Sequence, residues 1–178
     1  MKIDKISAEK FESQVELENI LNKYSNKLIG FINSIVQDVN ASEDIMMDVF
    51  VELLIRKPEF ENEQAFKSYL FKCSKNKALN FVKKNKRLCE LSEDNLKDTY
   101  EIEDKICNNN TKKILLGALK KLTNNYRTVL YLSYFEDMSD DEIQSVMGIN
   151  DKKVRNLKHR AKKKLNKILK EQNFEFKG

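Results

Sequence analysis

The sequence contains few residues that interrupt helices: among 178 residues there are four Gly and one Pro. Gly and Pro are the strongest local signals that end a helix, so long helices can run through this chain. No alternating run of β-branched and polar residues indicates a strand. The predicted fold class is therefore all-α, in two small helical domains.

Cysteine and histidine are also scarce. Cys73, Cys89 and Cys107 are odd in number, widely spaced and without a C-x-x-C pair, which predicts neither a disulfide framework nor a zinc site. His159 is the only histidine, so the sequence offers little material for a catalytic Ser–His or Cys–His pair and none for a metal site with several histidines. There is no Gly-rich phosphate loop. We expect no metal, no cofactor and no catalytic activity.

Long apolar runs are missing too. The longest candidate, IMMDVFVELLI, is interrupted by Asp48 and is far shorter than the roughly 20 residues that cross a bilayer. The first residues do not form a cationic and then apolar leader. We expect a cytoplasmic protein without membrane insertion.

Charge is segregated along the chain. Residues 1–66 carry 7 basic and 13 acidic side chains, whereas residues 67–87 carry 8 basic and none acidic. Residues 88–110 carry 2 basic and 7 acidic side chains, and residues 151–171 carry 10 basic and 2 acidic. Two cationic elements are thus separated by an anionic stretch. We interpret residues 88–110 as an acidic linker between the domains; a peripheral acidic helix is the alternative.

The second predicted helix has one apolar and one acidic side. Ser42 with Asp44 is expected to open it, and its apolar residues fall on one side. The other side carries Asp44, Asp48 and Glu52 at four-residue steps. Such an acidic stripe is usually a solvated face, but the apolar residues Met47 and Val51 beside it indicate a partner surface.

A long basic helix is predicted from about residue 65 to residue 87. Phe66, Leu70, Cys73 and Phe81 share one face, and lysines lie roughly opposite. A merely soluble helix would intersperse acids to gain i,i+4 pairs, and this stretch has none. We therefore predict nucleic-acid contact through Lys72, Lys75, Asn76, Asn80, Lys83, Lys84, Lys86 and Arg87.

The C-terminal residues show the pattern of a helix-turn-helix. Two amphipathic helices, TKKILLGALKKL and YRTVLYLSYFED, are followed by a helix that a Ser139–Glu142 capping box begins and Gly148 ends. A three-residue turn leads into the basic helix, whose packed stripe is Val154, Leu157, Ala161, Leu165 and Ile168. The second helix of such a motif enters the major groove.

The exposed residues of this second helix are therefore candidates for DNA contact. Arg and Lys pair with guanine and Asn pairs with adenine, so base readers and phosphate contacts are expected among Lys152, Lys153, Arg155, Asn156 and Arg160. Backbone contact, or none, is expected for Lys158, Lys162, Lys163 and Lys164. His159 is as consistent with a surface residue as with a phosphate contact.

In this order, the acidic-striped helix ASEDIMMDVFVELL, the basic helix FKSYLFKCSKNKALNFVKKNKR, the acidic linker and the helix-turn-helix resemble an RNA polymerase sigma factor of the extracytoplasmic-function (ECF) type. The resemblance implies three segments: residues 1–87 as region 2, which binds core polymerase and the minus-ten element, residues 88–110 as the linker, and residues 111–178 as region 4, which binds the minus-thirty-five element. It also implies that the loop 58–64 captures an extruded base.

The same resemblance implies the partners. Core RNA polymerase would be bound through its beta-prime clamp and beta flap, with Asp44, Met47, Asp48, Val51 and Glu52 at the core contact. Promoter DNA is the second partner, and an anti-sigma factor is a candidate third.

The predicted function is to bind core polymerase, direct it to promoters and help melt the minus-ten element. The alternative is a stand-alone helix-turn-helix regulator that never engages polymerase. A nucleic-acid-processing enzyme is disfavoured because no catalytic or metal-binding residues are evident in the sequence.

Overall fold

The computed structural model of the protein describes residues 14–91 and 110–171, and describes side chains for residues 17–87 and 113–171. This part of the chain forms seven α-helices. The chain divides into two compact units, Met1–Thr99 (the N-terminal unit) and Tyr100–Gly178 (the C-terminal unit). Among the described helices, none is both long and apolar enough to cross a membrane.

The N-terminal unit packs three helices against one another: α1 (Gln14–Val36), α2 (Val39–Arg56) and α3 (Glu63–Leu91). Each helix contributes fully buried apolar side chains, including Leu28, Phe31, Leu53, Leu70 and Phe71. Burying one such side chain is worth about 1.5–3 kcal/mol relative to leaving it exposed.

Helix α2 begins earlier than predicted. Asp38 is its N-cap, and the side chain of Asp38 accepts a hydrogen bond of 3.0 Å from the amide of Ala41. Ser42, which we expected to open the helix, is fully buried inside it, and its hydroxyl donates to the carbonyl of Asp38. The prediction was wrong because Asp and Ser are both good caps, and Gln37, at φ 61°, turns the chain so that Asp38 takes that position.

Helix α3 is longer at both ends than the predicted 65–87. Asn62 starts it by accepting a 2.8 Å hydrogen bond from the amide of Ala65. Glu63 therefore belongs to the helix rather than to the expected loop 58–64, and it accepts hydrogen bonds from Lys23 and, at 2.8 Å, from the hydroxyl of Tyr24. The hydrogen bond from Lys23, followed by the one from Tyr24, lowers the pKa of Glu63 below its ordinary value. These bonds tie α1 to the start of α3.

The C-terminal unit contains α4 (Asn110–Lys120), α5 (Asn124–Tyr134), α6 (Asp140–Met147) and α7 (Asp151–Glu171). The predicted capping box of α6 is confirmed: Glu142 N–H donates to Ser139 Oγ at 3.2 Å, and Ser139 N–H donates to Glu142 Oε2 at 2.8 Å. Gly148 ends the helix in the left-handed region at φ 66°. Helices α6 and α7 thus form the predicted helix-turn-helix.

The core of the C-terminal unit lies around α7, which contacts α4, α5 and α6. The predicted stripe is buried at Val154, Ala161, Leu165 and Ile168 and half-buried at Leu157. On α6, Ile143 and Val146 are fully buried, while Met147 is half-buried.

A buried arginine caps the C-terminal end of α4 with hydrogen bonds. Arg127, only 4% exposed, donates from Nε to the carbonyl of Leu119 at 3.0 Å. Its Nη2 donates to the carbonyls of Lys120, at 2.6 Å, and Leu122, at 2.7 Å. The last carbonyls of a helix have no partner among its own amides, and here the Leu119 carbonyl also accepts a 3.0 Å bond from the amide of Leu122, beyond the helix. A cation near a helix C-terminus also interacts favourably with the helix dipole.

Candidate nucleic-acid interface

The basic face of α3 lies opposite the face that the core covers. At about 100° per residue, the eight predicted DNA-contact residues cover about half of the circumference of the helix. Seven of them are exposed at the surface of the N-terminal unit: Lys72, Asn76, Asn80, Lys83, Lys84, Lys86 and Arg87. The structure therefore gathers these side chains on one continuous cationic surface.

Two parts of this surface differ in character. Asn80, Lys83, Lys84 and Arg87 line one open depression, where amide and cationic donors converge. Lys75 is half-buried; desolvation is the main cause that lowers the pKa of its ammonium group, and the charge of Lys72 adds to this effect. The C-terminal part of α3, from Asn80 to Arg87, is thus the part best able to contact phosphates.

The loop before α3 offers no exposed ring to an extruded base. Its aromatic residue Phe60 is 9% exposed, and its ring lies 5.2 Å from the rings of both Phe66 and Tyr69. The exposed residues of this loop include the carboxylates of Glu59 and Glu61. Base capture by this loop stays a prediction, and it would have to use polar groups rather than stacking.

The acidic side of α2 carries an exposed apolar strip. Met47 is 53% exposed, Val51 49% and Ile55 78%, and Asp44 and Asp48 are exposed beside them. Met47, Val51 and Ile55 follow one another at four-residue steps, as do Asp44 and Asp48, and together the five side chains span an arc of about 100° around the helix axis. Ile55 was not among the predicted contact residues, although its spacing from Met47 and Val51 in the sequence already indicated it.

Glu52 is placed differently from the other predicted core-contact residues. One oxygen lies 3.0 Å from Lys77 Nζ on α3 and the other 3.0 Å from Arg56 Nε. The hydrogen bond from Lys77 is the largest cause that lowers the pKa of Glu52 below its ordinary value. Glu52 therefore joins α2 to α3 at the edge of the strip, whereas the side chains of Asp44 and Asp48 are exposed to solvent.

The solvent side of α7 presents the predicted DNA-contact residues that stay open to a partner. Besides Lys164, six of them are exposed and have neither an ion pair nor a cation–π contact within the described part of the chain: Lys152, Lys153, Asn156, His159, Arg160 and Lys163. We call these six residues the open face of α7.

The other three predicted residues are already engaged. Lys158 Nζ lies 2.6 Å from Asp140 on α6, and Lys162 Nζ lies 5.4 Å from the centre of the Tyr134 ring on α5. Arg155 Nη2 lies 2.7 Å from Asp151 one turn earlier on α7. Lys158 and Lys162 therefore help to hold the helices together, a role that the sequence did not indicate.

Metal chemistry finds no support in the described residues. No group of three or more His, Cys, Asp or Glu side chains there could hold an ion. The thiol of Cys73 is half-buried, and desolvation raises its pKa. The structure thus presents three candidate surfaces for binding: the exposed apolar and acidic strip of α2 (the α2 strip), the basic face of α3 and the open face of α7.

Comparison with known proteins matches both units. The sigma-70 region 2 family matches residues 20–88, and the sigma-70 region 4 family matches residues 112–165. Among curated proteins, the chain is similar to the ECF RNA polymerase sigma factor SigM of Bacillus subtilis strain 168, at 23% identity over 151 residues, covering 84% of this chain and 92% of that protein. It is also similar to the RNA polymerase sigma factor SigZ of the same strain, at 22% identity, covering 87% and 88%.

A solved structure shares the fold. The sigma factor RpoE of Bartonella quintana, crystallised in complex with the anti-sigma factor NepR, superposes with a TM-score of 0.75 at 19% identity. The similarity covers 87% of this chain and 97% of that one.

Proposed function

The chain belongs to the sigma-70 family, as an RNA polymerase sigma factor of the ECF type, and from this premise we propose how its two units share promoter recognition. A sigma factor directs core RNA polymerase to promoters. We assign residues 1–87 to region 2, residues 88–110 to the acidic linker and residues 111–178 to region 4; residues 92–109 of that linker lie outside the described part of the chain. The chain acts by binding and catalyses no reaction itself.

Core polymerase docks on the α2 strip. Exposed Met47, Val51 and Ile55 supply apolar area, and Asp44 and Asp48 supply charge for a basic partner surface, which we assign to the beta-prime clamp. Glu52 contributes mainly by fixing α2 against α3. This exposed strip carries the proposal, because a regulator that binds DNA alone has no need of it.

Promoter DNA is contacted at two elements. The basic face of α3 holds the backbone of the minus-ten region, and its exposed Asn76 and Asn80 can donate to and accept from base edges when the strands separate. The open face of α7 enters the major groove at the minus-thirty-five element. Melting is favoured because the cationic face binds phosphates of the separated strand.

Two further partners belong to this proposal. The half-buried apolar residues Ile114, Leu115 and Leu116 of α4 offer a contact for the beta flap. An anti-sigma factor is supported by the solved relative, which is bound to one. Because polymerase and promoter DNA are its partners, we place the protein in the cytoplasm.

Binding to core polymerase tests the proposal. Asp48→Lys should lower the affinity for purified core enzyme at least about tenfold, because like charges at an interface cost several kcal/mol. Glu61→Lys is the matched control: it makes the same charge change on an exposed acidic residue outside α2, in the loop before α3, and should bind core enzyme normally. Circular dichroism checks that both variants fold.

The stand-alone regulator makes the opposite forecast. It predicts that all three proteins ignore core polymerase and bind promoter DNA equally well. Unchanged core affinity of Asp48→Lys would remove α2 from the interface.

A further inference from the structure

We propose that Asp151 positions the guanidinium of Arg155 for base recognition and thereby sets the sequence preference of the C-terminal unit. This inference rests on the proposed role of α7 at the minus-thirty-five element. Asp151 would be a positioning residue: it acts through Arg155 and contacts no base itself.

The first turn of α7 leaves the carboxylate of Asp151 available for this role. Asn150 performs the capping, since its Oδ1 accepts a 2.9 Å hydrogen bond from the amide of Lys153. Asp151 Oδ2 instead lies 2.7 Å from Nη2 of Arg155, one turn further along the helix. The side chains of Asp151 and Arg155 are 44% and 65% exposed, and Arg155 borders the open face of α7, one turn before His159.

Arg155 differs from the other cations of α7 because it is exposed, held by an ion pair and carries a guanidinium fork. Lys162 and Lys167 are also exposed and engaged, but each ends in a single ammonium group. Lys158 and Lys162 are held by Asp140 and Tyr134. The cations of the open face are exposed and form no ion pair with described residues. Arg155 is both held in place and exposed, which is the combination that a base-reading side chain needs.

The chemistry of arginine lets one side chain serve both contacts. A guanidinium has five N–H donors in a rigid fork, so a bond from Nη2 to Asp151 leaves other N–H groups for the O6 and N7 of a guanine. Fixing the fork in advance also reduces the rotamer freedom that binding would otherwise remove.

A carboxylate near DNA has a second, opposing effect. Its negative charge repels phosphates of any sequence, so removing it should raise affinity for all DNA while it lowers the preference for one base pair. A residue that only stabilised the start of the helix would leave the preference unchanged. The two roles therefore make different predictions.

The test uses the full chain reconstituted with core RNA polymerase. Duplexes of random sequence are selected for binding, and the base preference at each position is compared among the wild type, Asp151→Ala, Asp151→Glu, Arg155→Ala and the double variant Asp151→Ala/Arg155→Ala. Glu171→Ala is the matched control, because it removes the acid of another i,i+4 pair, with Lys167, at the far end of the same helix.

We expect Asp151→Ala to lower the preference about two- to tenfold, the range for immobilising one flexible side chain, at the position that Arg155→Ala also affects. The double variant should lose no more than Arg155→Ala. Asp151→Glu, which can still reach Arg155 across one turn, should keep most of the preference, and Glu171→Ala should keep all of it.

Two results would overturn the inference in distinguishable ways. If Arg155→Ala removes the preference at one position while Asp151→Ala retains it, Asp151 does not position Arg155, and the proposed function stands. If the reconstituted wild type enriches no sequence, or if Arg155→Ala changes no position, the proposed role of α7 fails and the inference fails with it.

Discussion

Replacing Arg127 by Met should destabilise the C-terminal unit more than any change on its DNA-binding surface. Arg127 is 4% exposed, and its guanidinium donates to three carbonyls at the end of α4 and just after it. Methionine keeps much of the apolar stem but has no donor. The carbonyls of Leu119 and Leu122 would then stay buried without this partner.

The magnitude follows from these bonds. A hydrogen bond to a charged group is worth about 1.5–3 kcal/mol, but bonds from one side chain are not additive. The hydrogen bond to Lys120 is only partly buried, so water can replace some of it. We expect a loss of about 2–4 kcal/mol, which for a unit of this size lowers the melting temperature by roughly 10–25 °C.

Amide hydrogen exchange in α5, measured on the full chain, reports this loss within the C-terminal unit alone. The free energy of opening should fall in Arg127→Met, and less in Arg127→Lys, whose single ammonium can still donate to these carbonyls. Arg160→Met is the matched control, since Arg160 is exposed on α7. Equal protection in Arg127→Met and Arg160→Met would refute the reasoning.

Three further changes test other parts of the structure. Lys163→Ala should reduce the slope of log affinity for promoter DNA against log salt by about 0.9 for the lost phosphate contact, whereas Lys158→Ala should chiefly lower stability; equal slope changes would contradict the division of α7. Glu63→Gln should cost up to about 1 kcal/mol at neutral pH, because Glu63 is half-exposed. Since the pKa of Glu63 is lowered from 4.5, this stability is present above pH 4.5 and is lost as pH falls through the lowered value; urea titrations should therefore show both proteins converging in acid, and a constant gap would argue against the charge. Gly148→Ala should cost about 1–2 kcal/mol from its φ of 66° alone, because a Cβ there meets nothing within 4 Å; unchanged urea unfolding would contradict this.

Local signals in the sequence predicted much of the fold. The Ser139–Glu142 capping box and the Gly148 stop involve neighbours a few residues apart, so their chemistry is readable without a structure. The buried stripe of α7 follows from helical periodicity. The start of α2 was misplaced because Asp38 and Ser42 are both good caps, and only packing shows which of them is buried.

The pairings between helices could not be read from the sequence. Lys158 meets Asp140, 18 residues earlier, and Arg127 reaches the end of the preceding helix. Glu52 appeared to continue the acidic stripe, yet Lys77 on α3 engages it. Such contacts depend on how helices pack, and they decide which charged residues hold the fold together and which stay open to a partner.

Transcription with purified core RNA polymerase and genomic DNA fragments tests the central claim most directly. The account predicts that the wild-type chain produces transcripts from defined start sites, and that Asp48→Lys on α2 and Arg160→Glu on α7 each abolish them while both variants remain folded. A wild type that yields no start-specific transcript, or variants that transcribe as well as it does, would contradict the account.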